Sequence, residues 1–82
     1  MAASREKIYR KLRTILAESL GADEEEITWE TNVYDDLNAD IIEFHDEVIA
    51  LIEEEFEVSV DDADVPDLTT VRELVAYIME AI

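Results

Sequence analysis

The sequence has no cysteine, and this absence excludes disulfides and thiolate metal sites. It also has no apolar run near the roughly 20 residues of a membrane-spanning helix. Its N-terminus lacks the hydrophobic stretch of a secretory signal peptide, so we expect a cytoplasmic protein that does not enter membranes. With 82 residues, the chain has room for one domain, residues 1–82, and no second core.

Basic residues are scarce and unevenly distributed. Six lysines and arginines stand against 23 aspartates and glutamates, which gives a net charge of −17. Five of the six basic residues lie between Arg5 and Arg13, whereas residues 21–82 hold 21 acids and only Arg72. Such a surface repels nucleic acid and anionic membranes. We therefore expect basic protein surfaces as partners, weak binding of divalent cations and no nucleic-acid binding.

Hydrophobic residues make up 49% of the chain and recur with the period of an α-helix, which favours a folded core over disorder. The first helix is predicted from the N-cap Ser4 to Leu20, with Gly21 as its C-cap. Its apolar stripe consists of Ile8, Leu12, Ile15, Leu16 and Leu20.

The connection that follows, residues 22–40, is long for a compact domain. We expect its apolar residues to pack onto the helices: Ile27, Trp29, Val33, Tyr34 and Leu37.

A second helix is predicted after Asp40, which caps it in a capping box with Glu43, and it runs to Phe56. Beyond it we expect at most one helical turn, around residues 61–65, closed by Pro66. The last helix opens with a second capping box, and its stripe consists of Val71, Leu74, Val75, Ile78 and Ile82 after the cap Thr70 and its partner Glu73. The predicted fold is all-α, with three long helices, one short helix and a long first loop.

Short motifs then occur in a revealing order: Leu20-Gly21, Glu-Glu-Glu-Ile-Thr (24–28), Asp-Asp-Leu-Asn-Ala-Asp (35–40), Glu-Glu-Glu-Phe (53–56), Thr-Thr-Val (69–71) and Tyr-Ile (77–78). Their order and spacing resemble the acyl carrier protein family over nearly the whole chain. The resemblance implies a four-helix bundle with a long first loop and a short third helix, in agreement with the pattern of the residues.

The resemblance also implies a serine, in an Asp-Ser-Leu motif at the start of the second helix, that carries 4'-phosphopantetheine. The matching residues here are Asp40-Ile41-Ile42, and isoleucine has no hydroxyl to form the phosphodiester. The segment from Asp40 to Phe56 is one residue longer than is usual in the family. Counting from Asp40 puts the attachment position at Ile41, with the extra residue near His45 or Asp46, whereas counting back from Phe56 puts it at Ile42. We expect no bound cofactor in either register.

The other serines are expected to cap helices or lie on the surface: Ser4, Ser19 and Ser59. A further departure from the family is Asn38, which stands where a glycine is usual. Asparagine adopts the left-handed backbone region readily, so the turn is expected to form.

The resemblance implies a partner-binding face on the second helix, with the residues Asp40, Ile41, Ile42, Glu43, Asp46, Glu47, Glu53 and Glu54. Concentrated negative charge steers basic partners toward such a face, although the same acids also fit a plain solvated helix surface. Ile41 and Ile42 add an apolar patch, unless Ile42 belongs to the core. The partners are then enzymes of fatty-acid or polyketide synthesis, and we expect a monomer.

Calcium binding is an alternative, because Asp36, Asn38, Asp40 and Glu47 occupy positions 1, 3, 5 and 12 of an EF-hand-like loop. Position 6 of that loop requires glycine but holds Ile41, so only weak, nonspecific cation binding is expected.

Catalysis has little support in the sequence, because His45 is the only histidine and is expected to be an exposed residue. We therefore predict no enzyme. Two functions remain open: an interaction module that occupies carrier-binding sites without delivering a thioester, or an ordinary acyl carrier whose serine was lost in this sequence.

Overall fold

The computed structural model describes residues 4–82, so residues 1–3 of the predicted domain lie outside the described part. Three long helices dominate it: α1 is Arg5–Leu20, α2 follows the long connection, and α3 is Val71–Ala81. Helix α2 joins three consecutive segments, Ile41–Glu43, Phe44–Val48 and Ile49–Phe56. Two 3₁₀ turns lie in the connections, Glu24–Glu26 and Val65–Asp67. The prediction of an all-α fold with three long helices, one short one and a long first loop is confirmed.

The ends of α1 follow the predicted capping residues. The Ser4 hydroxyl accepts the Lys7 N–H at 3.1 Å, and Gly21 ends the helix in the left-handed region with a φ of 68°. Ile8, Leu12 and Leu16 of the predicted stripe are buried, whereas its other two residues lie half-buried at the margin, Ile15 and Leu20.

A complete capping box begins α3. The Thr70 hydroxyl accepts the Glu73 N–H at 3.3 Å, and the Glu73 carboxylate accepts the Thr70 N–H at 3.1 Å. Hydrogen bonds from Thr69 and Thr70 lower the pKa of Glu73. The predicted stripe is buried except for Ile82, which is 59% exposed because the helix ends at Ala81 and leaves this residue beyond the bundle.

The long first connection packs onto the helices, as expected. Ile27 and Val33 are buried in the core, and Tyr34 meets Phe44 of α2 edge to face with ring centroids 5.5 Å apart. Trp29 stacks on Tyr9 of α1 at 4.2 Å. Backbone bonds fasten the same connection to the start of α3, from Val33 N–H to Thr69 O at 2.8 Å and from Arg72 N–H to Trp29 O at 2.9 Å.

The second connection differs from the prediction. Residues 61–64 form a turn closed by the Asp64 N–H on Asp61 O, but the 3₁₀ turn lies further on, at Val65–Asp67. Pro66 sits inside the first turn of this element and does not close it. The first turn of a helix leaves its N–H groups without helical partners, so a proline costs no hydrogen bond there.

Candidate functional site

The Asp40 side chain caps α2 without the help of Glu43. Its Oδ1 accepts the Ile42 N–H at 2.8 Å, and Ile41 is the first residue of the helix. The predicted capping box with Glu43 was wrong, because a capping box needs the cap oxygen on the third N–H and Asp40 bonds the second. Glu43 is exposed. Asn38 has a φ of 57°, so the turn before the helix does form with asparagine in the left-handed region.

The middle of α2 is a π-helical turn, Phe44–Val48, in which the Ile49 N–H bonds to Phe44 O. An extra residue in a regular α-helix would rotate everything beyond it by about 100°. A π turn takes up one additional residue locally and leaves the helix on both sides in frame. The buried residues on both sides therefore keep facing the core: Phe44, Val48, Ile49 and Ile52.

Two large apolar side chains lie on the surface at the start of α2. Ile41 is 49% exposed and Ile42 is 69% exposed, so Ile42 does not belong to the core. They border a groove of about 250 Å³ between α2 and the 3₁₀ turn Val65–Asp67. The groove is lined by Ile41, Ile42, His45, Asp46, Asp62, Val65 and Pro66.

The acids of α2 divide into two groups. Five of the six predicted partner-binding acids are exposed: Asp40, Glu43, Asp46, Glu47 and Glu54. Glu53 is half-buried, and its Oε2 accepts the Val60 N–H at 2.8 Å. Its carboxylate therefore holds the chain that leaves α2.

His45 lies between two carboxylates. Its Nε2 is 2.8 Å from Asp62 Oδ1, and its Nδ1 is 3.3 Å from Asp46 Oδ1. The hydrogen bonds to Asp62 and Asp46 raise the pKa of His45. The sequence-based expectation of a merely exposed histidine missed these contacts. Asp62 is 17 positions away along the chain, and no local pattern connects the two residues.

The three serines occupy different settings. Ser4 caps α1, Ser59 is exposed beyond α2, and the Ser19 hydroxyl is buried without a hydrogen-bond partner. None of them lies at the start of α2.

The residues of the EF-hand alternative do not form a calcium loop. Helix α2 begins at Ile41, position 6 of that loop, and Asp40 is occupied as its cap. Asp36 accepts the Asn32 N–H at 2.8 Å. Within residues 4–82, no group of three or more histidines and acids is placed to hold a metal ion. Weak, nonspecific cation binding stays a prediction.

Among the described residues, no helix has the length and apolar character to cross a membrane.

Comparison with known proteins gives consistent matches. Residues 10–78 match the family described as "Phosphopantetheine attachment site". The chain is 46% identical over 76 residues to an acyl carrier protein of Thermotoga maritima, with 93% of each chain covered. It is 40% identical over 76 residues to that of Rubrobacter xylanophilus, again with 93% of each covered.

A solved structure gives the same result. The acyl carrier protein from Enterococcus faecalis superposes with a TM-score of 0.82 at 30% identity, covering 98% of this chain and 100% of that one. Helical architecture, family match and identity over nearly the full length agree, and the chain belongs to the acyl carrier protein family.

Proposed function

We propose that this chain is a carrier-like interaction module, not an enzyme, which docks on enzymes of fatty-acid or polyketide synthesis without carrying an acyl group. The observation behind this proposal is the residue after the helix cap. Ile41 follows Asp40 at the first helical position and is accessible at the surface, but it offers no oxygen for a phosphodiester. The residues present therefore do not fit covalent attachment of 4'-phosphopantetheine.

The π turn supports counting the attachment position from Asp40. It contains His45 and Asp46, so the extra residue of α2 is absorbed downstream of Ile41. The start of the helix then keeps the family arrangement of a capping aspartate followed by the attachment position. Ile42, the other candidate position, also lacks a hydroxyl, so the proposal holds in both registers.

The docking surface consists of the exposed residues around the start and middle of α2: Asp40, Ile41, Ile42, Glu43, Asp46, Glu47 and Glu54. It combines an apolar patch with negative charge, which suits a partner that presents a basic rim around an apolar contact. Glu53 is left out, because its carboxylate is engaged by the Val60 N–H. In this proposal the protein acts as a monomer in the cytoplasm.

A second candidate function is that of an ordinary acyl carrier in which this sequence alone has lost the serine. The 46% identity to the Thermotoga maritima acyl carrier protein over 93% of both chains favours it. In the first function the chain docks on these enzymes as a natural competitor of acyl carriers. In the second it docks on them only as a carrier that has lost its attachment serine.

A competition assay tests the interaction module. A broad-specificity phosphopantetheinyl transferase, coenzyme A and an ordinary acyl carrier protein are mixed with increasing amounts of this chain. We expect the chain itself to gain no mass and to slow modification of the ordinary carrier. Glu47→Lys should compete less well, because it reverses a charge in the docking surface, whereas Glu80→Lys on α3 is the matched control. A mass gain of the unaltered chain, or no competition at all, would contradict the proposal.

A further inference from the structure

The connection between α2 and α3 is held from two sides. On the α3 side, the Tyr77 hydroxyl donates to Asp64 at 3.0 Å and accepts the Asp61 N–H at 3.2 Å. On the α2 side, the His45 imidazole meets Asp62 at 2.8 Å. The segment is therefore fastened to α3 by a tyrosine and to α2 by a histidine.

The histidine contact joins the two walls of the groove at the docking surface. One wall belongs to α2 and includes His45, and the other belongs to the second connection and includes Asp62. Among the residues that line the groove, this is the one side-chain hydrogen bond between the two walls, since the Glu53 bond to Val60 lies outside the groove. The bond therefore ties the two walls of the groove together.

The imidazole has a carboxylate partner for each of its nitrogens. Asp62 of the connection faces Nε2 and Asp46 of α2 faces Nδ1. The neighbouring acids of the connection point to other partners, since Asp61 accepts the Ala63 N–H and Asp64 accepts the Tyr77 hydroxyl. A neutral imidazole has only one N–H, so it can donate to only one carboxylate, whereas the protonated ring donates to both.

We propose that His45 and Asp62 form a proton-controlled clasp that holds the two walls of the groove together, places positive charge in the docking surface, and thereby weakens the docking of basic, apolar partners at low pH. This inference rests on the docking function proposed above. Protonation completes both hydrogen bonds and places a positive charge among the acids of α2. Loss of the proton leaves one of the two carboxylates without a donor, removes the charge that strengthens the bond to the other, and restores the full negative charge of the surface.

The direction of the pH effect follows from the raised pKa of His45. A histidine whose pKa is higher in the folded protein stabilises the fold fully below its ordinary pKa of about 6.5. That stabilisation is lost as the pH rises through the folded value. The clasp is therefore strongest in mildly acidic solution and weakens toward alkaline pH.

Amide hydrogen exchange tests the clasp without any partner. The amides of Asp64, Asp67 and Leu68 bond within the second connection and report on its opening. In His45→Gln, which retains hydrogen-bonding groups but cannot titrate, these amides should exchange about two- to fivefold faster than in the natural chain at pH 6. The ratio should fall to about one at pH 8.5, when both side chains are uncharged.

Tyr77→Phe is the matched control, because it loosens the same connection from the α3 side and should speed exchange by the same factor at both pH values. The imidazole signal is unambiguous in NMR, since the chain has a single histidine. Equal exchange in the natural chain and His45→Gln at pH 6 would overturn the clasp.

The effect on docking is measured with the phosphopantetheinyl transferase as the probe. Its affinity for the natural chain relative to His45→Gln should be about two- to fivefold lower at pH 6 than at pH 8.5. The ratio cancels any pH dependence of the transferase itself. A ratio that is the same at both pH values would overturn the regulation. Absence of binding by both proteins would instead contradict the docking function, while the exchange data still decide on the clasp.

Discussion

Ile41 occupies the first helical position of α2, directly after the residue that caps the helix. Its neighbour Ile42 lies about 100° further round the helix and is more exposed. Exposure alone therefore does not distinguish the two attachment registers. The cap and the π turn do favour Ile41, and a single substitution at each position separates them.

We predict that Ile41→Ser becomes a substrate of the phosphopantetheinyl transferase and that Ile42→Ser is modified poorly or not at all. In Ile41→Ser the hydroxyl follows the capping Asp40, as in the family motif. The modified fraction of both variants is measured by mass spectrometry at equal enzyme and time. Preferential loading at residue 42 would show that the register must be counted from Phe56.

Glu53 gives a second prediction at the level of single residues. Its carboxylate accepts the N–H of Val60, a residue whose side chain is buried. Glu53→Ala should lower the free energy of unfolding by about 1 kcal/mol, because the Val60 N–H loses its partner. Glu54→Ala, one position along and exposed, should change it by less than about 0.5 kcal/mol. Urea unfolding at neutral pH measures both, and equal effects would show that the Glu53 bond adds no stability.

Among single residues, the sequence predicted the caps well and the contacts poorly. Ser4, Gly21 and Thr70 were predictable because a cap depends on residues within one turn. Asp62 was not, because its partner His45 lies on another element and acids are abundant throughout this chain.

At the level of elements, α2 shows why helix interiors are hard to predict in detail. The buried positions Phe44, Val48 and Ile52 are spaced four apart and fit a plain α-helix equally well. Only the family spacing between Asp40 and Phe56 indicated an extra residue. The short helical turn was misplaced for a different reason, since Pro66 was interpreted as an end of the element and is part of its first turn.

Deleting Asp46 should convert the π turn into an α-helical turn and leave the fold intact. Asp46 is exposed, and its removal restores regular spacing between Phe44 and Ile49. We expect the free energy of unfolding to change by less than about 1 kcal/mol. Thermal and urea unfolding, with helix content from circular dichroism, measure the result.

Deletion of Ala50 is the matched control, since this residue is also exposed but lies in the α-helical part of α2. After this deletion, the residues on the two sides of position 50 cannot all keep facing the core. Either Val48 and Ile49 or Ile52 must leave a buried position. The cost should be about 2 to 5 kcal/mol, as for truncation of a large core residue. Similar losses in both deletions would mean that the π turn does not absorb the extra residue.

At the level of the whole molecule, charge is the dominant feature. Among the described residues, four of the six arginines and lysines form ion pairs with acids: Arg10 with Glu6, Lys11 with Glu55, Arg13 with Glu24, and Arg72 with Glu30. These pairs leave most of the 23 acids uncompensated. Mutual repulsion of the acids opposes the compact state and is screened by salt.

Salt and divalent cations should therefore stabilise the fold. We expect the Tm to rise by about 4 to 8 °C for each kcal/mol of relieved repulsion between low salt and about 0.2 M KCl. Magnesium or calcium chloride at equal ionic strength should raise it further. An unchanged or lower Tm in both salts would contradict this prediction, and a steep, stoichiometric calcium transition would indicate a specific site after all.

The π turn of α2 also has a consequence for how partners are selected. Because the helix stays in frame on both sides, the additional residue is displayed outward between Phe44 and Ile49, in the middle of the proposed docking surface. At this shoulder, the outward side of the π turn, helix α2 is therefore wider and more charged than a regular α-helix with the same buried residues. An enzyme whose cleft is moulded tightly around a straight helix meets this shoulder before it reaches the apolar patch, whereas one with a shallow cleft does not. With the docking function proposed above, we expect the insertion to sort enzymes by the shape of their clefts, before charge or cargo has any influence.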